Sequence, residues 1–204
     1  DVVRSVIEVR NGGGTTLVIN SGTSGKFLSV LDLDVQKGRV KDFKYHLVPV
    51  FSNLLEPDPQ MAMHIDKVRA PYDDKLKEVL AVNEDMLYRR GTFTGTFDQI
   101  IVDALMKSLD TQLAFSPGFR WGTTILPGSP ITMEDLMSQT AITYPEVRRM
   151  NMTGAEIKEV LEDIADNRFN PDPYMQQGGD MVRIGGLNYT IDPTMNKGHR
   201  IQDM

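Results

Sequence analysis

The segment Glu56-Pro-Asp-Pro59 divides the sequence into two parts with different hydrophobic patterns. Proline fixes φ and cannot donate a backbone hydrogen bond, so two prolines in four residues oppose a continuing strand. Pro59 is suited to the first turn of a helix, and Asp58 before it can cap that turn. The sequence therefore predicts that strands end before Glu56 and that a helix begins at Pro59.

The part before this segment shows the two-residue alternation that is typical of β-strands. Residues 15–20 are rich in β-branched side chains, and the glycine-rich residues 21–25 follow as a turn. In residues 26–35, apolar side chains alternate with polar ones that include Asp32 and Asp34. Because a similar alternation continues to residue 47, we expect a β-meander over residues 14–48.

After Pro59, apolar residues recur at three- and four-residue spacing as far as Val79, which predicts an amphipathic helix. Pro71 lies within this pattern and should kink the helix or divide it in two. Three later helix starts are indicated by capping sequences at Thr96, Thr132 and Thr153.

The expected fold class is therefore α+β, with helices and short strands mixed in its second part. We expect three segments. Residues 1–50 are the strands, residues 51–80 a helical linker, and residues 81–204 a mixed α/β domain in which glycine pairs bracket a short strand at residues 181–184.

The composition excludes several classes of function. The formal net charge of −6 opposes binding of nucleic acid or an anionic membrane by the average surface. No apolar run approaches the ~20 residues of a membrane span. The chain has no cysteine, and His46, His64 and His199 lie in no motif with metal-ligand spacing. No GxSxG motif precedes a helix, so we expect neither a metal site from this chain alone nor a serine or cysteine nucleophile.

The stretch LAFSPGFRWGTTI contains the one Trp of the chain, Trp121, next to Arg120. Gly118 and Gly122 on either side allow close backbone approach and positive φ, while Phe119 and Trp121 reduce the hydration of the guanidinium. Such an arginine can bind two oxygens of a phosphate- or sulfate-like group. It can equally stack on Trp121 as a local brace, and the residues themselves leave both interpretations open.

Arg89 and Arg90 form a second basic pair, shortly before the helix start at Thr96. Adjacent arginines in a loop that enters a helix are usually solvated. They are also candidates for a second contact to the same anion.

Several segments, in the same order along the chain, resemble 5′-nucleotidase C-terminal domains. Residues 113–122 and 127–136 are similar to the stretches written GGIR and G-x-I-T-x-x-D-L in that family. Residues 152–157 resemble its TGxxL helix start, and residues 179–193 resemble its strand pair around SGLxxxxDP. Further segments are similar to a branch of the superfamily, the SoxB thiosulfohydrolases of bacterial thiosulfate oxidation: residues 20–28, 31–35, 88–99, 116–122 and 178–183.

The resemblance implies an activity, cofactors, a partner and a compartment. Enzymes of this branch are periplasmic and release sulfate from a cysteine S-sulfonate on the carrier protein SoxYZ, with two manganese ions activating water. Arg120 would hold the anionic group of the substrate. The residues that the resemblance places at the substrate are Arg120, Gly118, Phe119, Trp121, Arg90, Arg89 and Tyr144. Tyr144 lies where nucleotidases carry their adenine-stacking segment, which differs here and favours a small substrate.

The resemblance also implies that the chain is truncated at both ends. Residues 1–50 would close a metallophosphoesterase sandwich whose manganese ligands lie upstream, and residues 81–204 would lack the final strands of their domain. We therefore expect this chain to bind no manganese and to hydrolyse nothing by itself. Two alternatives remain, a nucleotide-degrading phosphomonoesterase of the same fold and a non-catalytic binding module.

Overall fold

The computed structural model describes residues 6–22, 25–119, 122–140 and 146–204. The chain divides into two compact units, Asp1–Ala70 and Pro71–Met204. The boundary falls within the segment that was predicted as a linker, at the proline that was expected to interrupt its helix.

The first unit contains two β-hairpins and one helix. The first hairpin pairs β1 (Ile7–Asn11) with β2 (Gly14–Val18), and the second pairs β3 (Phe27–Gln36) with β4 (Arg39–Pro49). The helix is α1 (Pro59–Arg69). The predicted strands are present, but the predicted meander is wrong. Among the described residues β2 pairs with β1, which the sequence did not indicate, and the two hairpins form separate sheets.

The register of the second hairpin confirms the predicted alternation. Leu33 lies opposite Phe43 on one face, while Asp32 lies opposite Lys44 on the other. Lys37 and Gly38 connect the strands with φ values of 51° and 72°. Positive φ at both central residues matches the right-handed twist of a hairpin, so this turn suits the strands it joins.

Asp58 caps α1 as predicted, because its Oδ1 accepts a hydrogen bond of 2.8 Å from the Met61 N–H. The predicted division at Pro71 is also confirmed. Helix α1 ends before this proline, and a short helix, α2 (Asp73–Leu76), follows it. The helical pattern was wrong for Val79, whose backbone belongs to a strand that pairs with Thr132.

None of the described residues of the first unit is buried. Phe43 and Tyr45 are half-buried, whereas Leu33 is 48% and Val35 57% exposed. A two-stranded hairpin in water is at best marginally stable without further packing. The apolar face of β3 and β4 is therefore a surface suited to packing against additional protein.

The second unit has α+β architecture, as predicted, with short antiparallel strands among four helices in its described part. After α2, its elements are β5 (Val79–Val82), α3 (Thr96–Leu109), β6 (Ala114–Ser116), β7 (Pro130–Thr132), α4 (Met133–Thr140), α5 (Gly154–Phe169), β8 (Arg183–Gly185), β9 (Thr190–Ile191) and β10 (Ile201–Gln202). Strand β5 pairs with β7, β6 with β8, and β9 with β10. Within the described residues, no helix has the length and apolar character that crossing a membrane requires.

Two hydrophobic clusters form the core of this unit. One surrounds Leu161 and Met181, both fully buried, and packs α5 against the strands. The other contains Leu87, Phe97 and Ile125 and packs α3 beside the bridge between Leu87 and Ile125. Phe115 of β6 packs against the first cluster, and Ile125, before β7, belongs to the second.

The predicted caps at Thr132 and Thr153 are confirmed, since each hydroxyl accepts a hydrogen bond from the backbone N–H three residues later. The cap of α3 is displaced by one residue, because Gly95 N–H donates to Asp98 instead. The apolar spacing after Thr96 predicts an inner face of Ile100, Ile101, Ala104 and Leu105 for α3, and this prediction was partly wrong. Ile100 is 44% exposed and Ala104 is also exposed, while the buried side chains are Phe97, Asp98 and Val102.

A buried carboxylate on α5 holds the C-terminal segment of the unit. Glu162 accepts hydrogen bonds from the backbone N–H groups of Ile201 (2.7 Å) and Gly198 (2.8 Å) and from Lys158 Nζ (3.1 Å). Burial alone would raise its pKa, but these bonds outweigh that effect and lower the pKa of Glu162 below its usual 4.5.

A carboxylate with a lowered pKa stabilises the folded state fully above about pH 4.5, and this contribution is lost as pH falls through the lowered pKa. We expect Glu162→Gln to reduce the free energy of unfolding at pH 7 by about 2 kcal/mol, because a charge-assisted acceptor is lost. The difference in the free energy of unfolding between Glu162→Gln and wild type should become smaller as the pH falls below 4.5. Urea denaturation at pH 7 and at acid pH measures both effects, and Glu159→Gln on the exposed side of α5 is the control.

Candidate functional site

The loop between Ser116 and Thr123, called here the arginine loop, is positioned at both ends by β-structure. Ser116 ends β6 and pairs with Arg183 of β8, and the chain after the loop reaches Ile125, which bridges to Leu87. Gly118 and Phe119 are half-buried. Arg120 and Trp121 lie outside the described residues, as does Tyr144, so their roles at the substrate remain predictions.

The two glycines of the loop fit against neighbours that leave no space for a side chain. A Cβ on Gly118 would collide with the Met181 carbonyl oxygen and lie 2.9 Å from Asp180 Cβ. A Cβ on Gly122 would lie 2.7 Å from Gln139 Cδ, and Gly122 also has a φ of 85°. Both glycines therefore allow the loop backbone to approach its neighbours closely, as predicted. Gly122 also has the predicted positive φ.

Arg89 lies beneath the arginine loop, with only 2% of its surface exposed. Its Nε donates to Asp98 Oδ1 at 2.8 Å, its Nη1 to the Gln139 carbonyl at 2.6 Å and its Nη2 to the Pro117 carbonyl at 3.3 Å. The expectation that this arginine is solvated is wrong. All three of its nitrogens donate to protein acceptors, and one of these acceptors belongs to the loop itself. The neighbouring Arg90 is half-buried.

Sequence reasoning missed the two residues that complete this arrangement, Asp98 and Arg183. Both side chains are 1% exposed, and Arg183 Nε lies 3.0 Å from Asp98 Oδ2. This contact is an ion pair and not a directed hydrogen bond, because the geometry of the Nε–H is unfavourable. For Arg183 a signal was present, because this charged residue interrupts the apolar residues Met181, Val182 and Ile184.

The described residues contain no cluster of three or more His, Cys, Asp or Glu side chains that could hold a metal ion. His46 lies on β4, His64 on α1 and His199 in the turn before β10, and all three are exposed. None of these three histidines belongs to a cluster of possible metal ligands among the described residues.

A cavity of about 680 Å³ lies at the start of β6. Apolar side chains from α3, β6 and α5 line it, including Leu109, Phe115 and Ile157. It contains none of the residues predicted to contact the substrate.

The sequence profile of the family 5′-nucleotidase, C-terminal domain, matches residues 78–204. This match covers more than half of the chain, and the chain belongs to that family.

Among solved structures, the chain is similar to the sulfate thiohydrolase SoxB of Thermus thermophilus, with 38% sequence identity and a TM-score of 0.88 over 97% of this chain. It is also similar in fold to a 5′-nucleotidase precursor of the same organism, with 18% identity and a TM-score of 0.75 over 96% of this chain. The chain spans 36% of the SoxB chain and 39% of the nucleotidase chain. No curated protein sequence matches it. These results confirm the superfamily that the sequence motifs indicated.

The fit of Gly118 predicts that Gly118→Ala displaces the arginine loop. The new methyl group would meet backbone and side-chain atoms of Asp180 and Met181, so we expect a loss of about 1–3 kcal/mol in the free energy of unfolding. Gly154→Ala is the matched control, because its Cβ would meet only Met204 Cε at 3.8 Å. Urea denaturation measures the free energy of unfolding of both variants. Equal values for Gly118→Ala and Gly154→Ala would contradict the tight fit at Gly118.

Proposed function

We propose that this chain is the substrate-binding part of a metal-dependent hydrolase that releases sulfate from a cysteine S-sulfonate on a carrier protein of the SoxYZ type. The observation that carries the proposal is the 38% identity to a sulfate thiohydrolase over 97% of the chain. The geometry of the arginine loop supports it, because the residues on both sides of Arg120 rest on buried partners.

In this proposal Arg120 binds the sulfonate. Its planar guanidinium can donate two parallel hydrogen bonds to two sulfonate oxygens, which fixes the orientation of the sulfur atom. A net charge of −6 makes such an anion site depend on individual arginines, and Arg90 is the second candidate contact. Phe119 and Trp121 would limit the access of water to the bound anion and so strengthen its electrostatic attraction to Arg120.

The reaction would form a bond between a water oxygen and the sulfonate sulfur and break the sulfur–sulfur bond. Sulfate and one proton are released, and the carrier keeps a thiol. Two manganese ions, when bound, would supply the activated water. By likeness to SoxB, of which this chain spans 36%, we propose that the manganese ligands lie in another part of a longer, periplasmic protein.

Trp121 provides a direct test of anion binding because it is the one Trp of the chain and lies next to Arg120. We expect S-sulfocysteine to change its fluorescence saturably, and Arg120→Lys to weaken binding at least about tenfold because lysine lacks the planar fork. The exposed Arg148→Lys is the control, since that side chain is 78% exposed. Tighter binding of AMP than of S-sulfocysteine would favour the nucleotidase alternative. A response to neither ligand would favour a non-catalytic binding module.

We further expect the 204-residue chain to release no sulfate from an S-sulfonated carrier, with or without manganese, because the activated water is missing. In a longer protein that includes the metal ligands, Arg120→Lys should lower turnover without changing the manganese content. Ion chromatography of sulfate and elemental analysis of the protein measure these outcomes. Manganese-dependent sulfate release by this chain itself would contradict our assignment of the ligands.

A further inference from the structure

We propose that Asn11 is a modification site, at which the backbone nitrogen of Gly12 converts the asparagine into aspartate and isoaspartate with loss of ammonia. The inference is independent of the proposed function and concerns only the first hairpin of the first unit. It rests on the dipeptide Asn11-Gly12, on the open turn that contains it and on a hydrogen bond of the Asn11 side chain.

Asn11 is the one asparagine of the chain that is followed by glycine. The following residue matters because its backbone nitrogen is the nucleophile of the reaction. A side chain on that residue crowds the approach of the nitrogen to the asparagine Cγ and restricts its φ, whereas glycine does neither. The other asparagines precede larger residues, as Asn20 precedes Ser21. The sequence therefore distinguishes Asn11 from every other asparagine of the chain.

The turn that contains Asn11 is open to solvent. Asn11 ends β1 and lies opposite Gly14 of β2, so Gly12 and Gly13 form a two-residue connection. All four residues are exposed. A Cβ placed on Gly12 would meet no atom within 4 Å, and the Gly12 N–H donates to no other described residue. Within the described structure, the Gly12 nitrogen and the Asn11 amide are therefore both accessible to water.

The turn also holds the Asn11 carboxamide in place. Its Oδ1 accepts a hydrogen bond of 2.8 Å from the Gly13 N–H. Attack on Cγ moves negative charge onto this oxygen, and an N–H that already donates to the oxygen stabilises that charge. Because the nucleophile and the carbon belong to adjacent residues, the reaction is intramolecular and is favoured by proximity. The two turn glycines therefore provide the nucleophile and the donor that stabilises the oxyanion.

Water is the co-reactant of this modification. The Gly12 nitrogen gives its proton to a base in the solvent and forms a bond to Asn11 Cγ, while the bond from Cγ to Nδ2 breaks and ammonia leaves with a proton. Water then opens the cyclic imide at either of its carbonyl groups. Opening at one carbonyl gives aspartate. Opening at the other gives isoaspartate, in which the main chain passes through Cβ and Cγ.

The isoaspartate product changes the hairpin more than the aspartate product does. Aspartate keeps an acceptor for the Gly13 N–H and adds one negative charge to a chain whose net charge is −6. Isoaspartate lengthens the backbone of β1 at the residue that pairs with Gly14, which disturbs the register towards Ile7. Because two-stranded hairpins are marginally stable in water, we expect the pairing of β1 with β2 to weaken.

Asn20 is a matched control within the same chain. It is also exposed, and its Oδ1 accepts from the Gly22 N–H at 2.8 Å, but Ser21 follows it. When the 204-residue chain is incubated at mildly alkaline pH, we expect Asn11 to deamidate at least about tenfold faster than Asn20. Peptide mapping by mass spectrometry, with detection of isoaspartate, measures both rates. Equal rates, or an unmodified Asn11, would overturn the proposal.

Gly12→Ala tests the nucleophile, and Gly13→Ala is its control. Neither glycine has a positive φ, and a Cβ on Gly13 would contact only Asn11 Oδ1, at 3.4 Å, so both variants fit the turn. We expect Gly12→Ala to slow deamidation of Asn11 about tenfold and Gly13→Ala to change it less than about twofold, because only the first places a methyl group on the attacking residue. Equal slowing in both variants would refute the role of the Gly12 nitrogen.

Hydrogen–deuterium exchange of β1 and β2 measures the effect on the hairpin. We expect faster exchange of their backbone N–H groups in chains that contain isoaspartate at position 11. The Asn11→Asp variant separates charge from backbone length, and its exchange should match that of the unmodified chain because the carboxylate can still accept from the Gly13 N–H. Faster exchange in Asn11→Asp as well would contradict the assigned effect of the longer backbone.

Discussion

The carboxylate of Asp98, buried between two arginines, is the interaction on which the geometry of the second unit depends. A buried charge must be paired, and each oxygen of Asp98 contacts a different guanidinium. Through Arg89 and Arg183 this single side chain links α3, the arginine loop and the approach to β8. Charged groups in the interior therefore contact the described ends of the loop, while Arg120 is predicted to bind a ligand.

An acidic chain can bind an anion only where individual arginines make the site locally positive. With a net charge of −6, the average surface repels anions, and three arginines of the described residues, Arg89, Arg183 and Arg200, are buried in the interior. Arg120 is the arginine that we propose for binding the anion, and the likeness to a sulfate thiohydrolase is what suggests a sulfonate as its ligand.

The two units differ in how many of their described residues are buried. The second has two hydrophobic clusters and buried ion pairs, whereas no described residue of the first is buried. In the second hairpin of the first unit, Leu33 lies on one face of β3 while Leu28 and Val30 lie on the other, so both faces carry exposed apolar side chains.

The sequence by itself determined several helix starts and strand faces, because their signals come from residues close together in the chain. Asp58 with Pro59, and the capping boxes at Thr132 and Thr153, fixed helix starts because a cap involves residues only three apart. Alternation fixed the faces of β3 and β4 for the same reason. The family could also be recognised, since its motifs are short and ordered along the chain.

Only the tertiary structure decided which charges are buried and which strands pair. Arg89 looks like a solvated loop residue until Asp98, Gln139 and Pro117 surround it, and its contact with Gln139 joins residues fifty positions apart. The pairing of β5 with β7 and the rotated inner face of α3 likewise depend on neighbours that no local pattern specifies. The physical reason is that burial and ion pairing are set by distant segments, whereas propensity and capping are set within one turn.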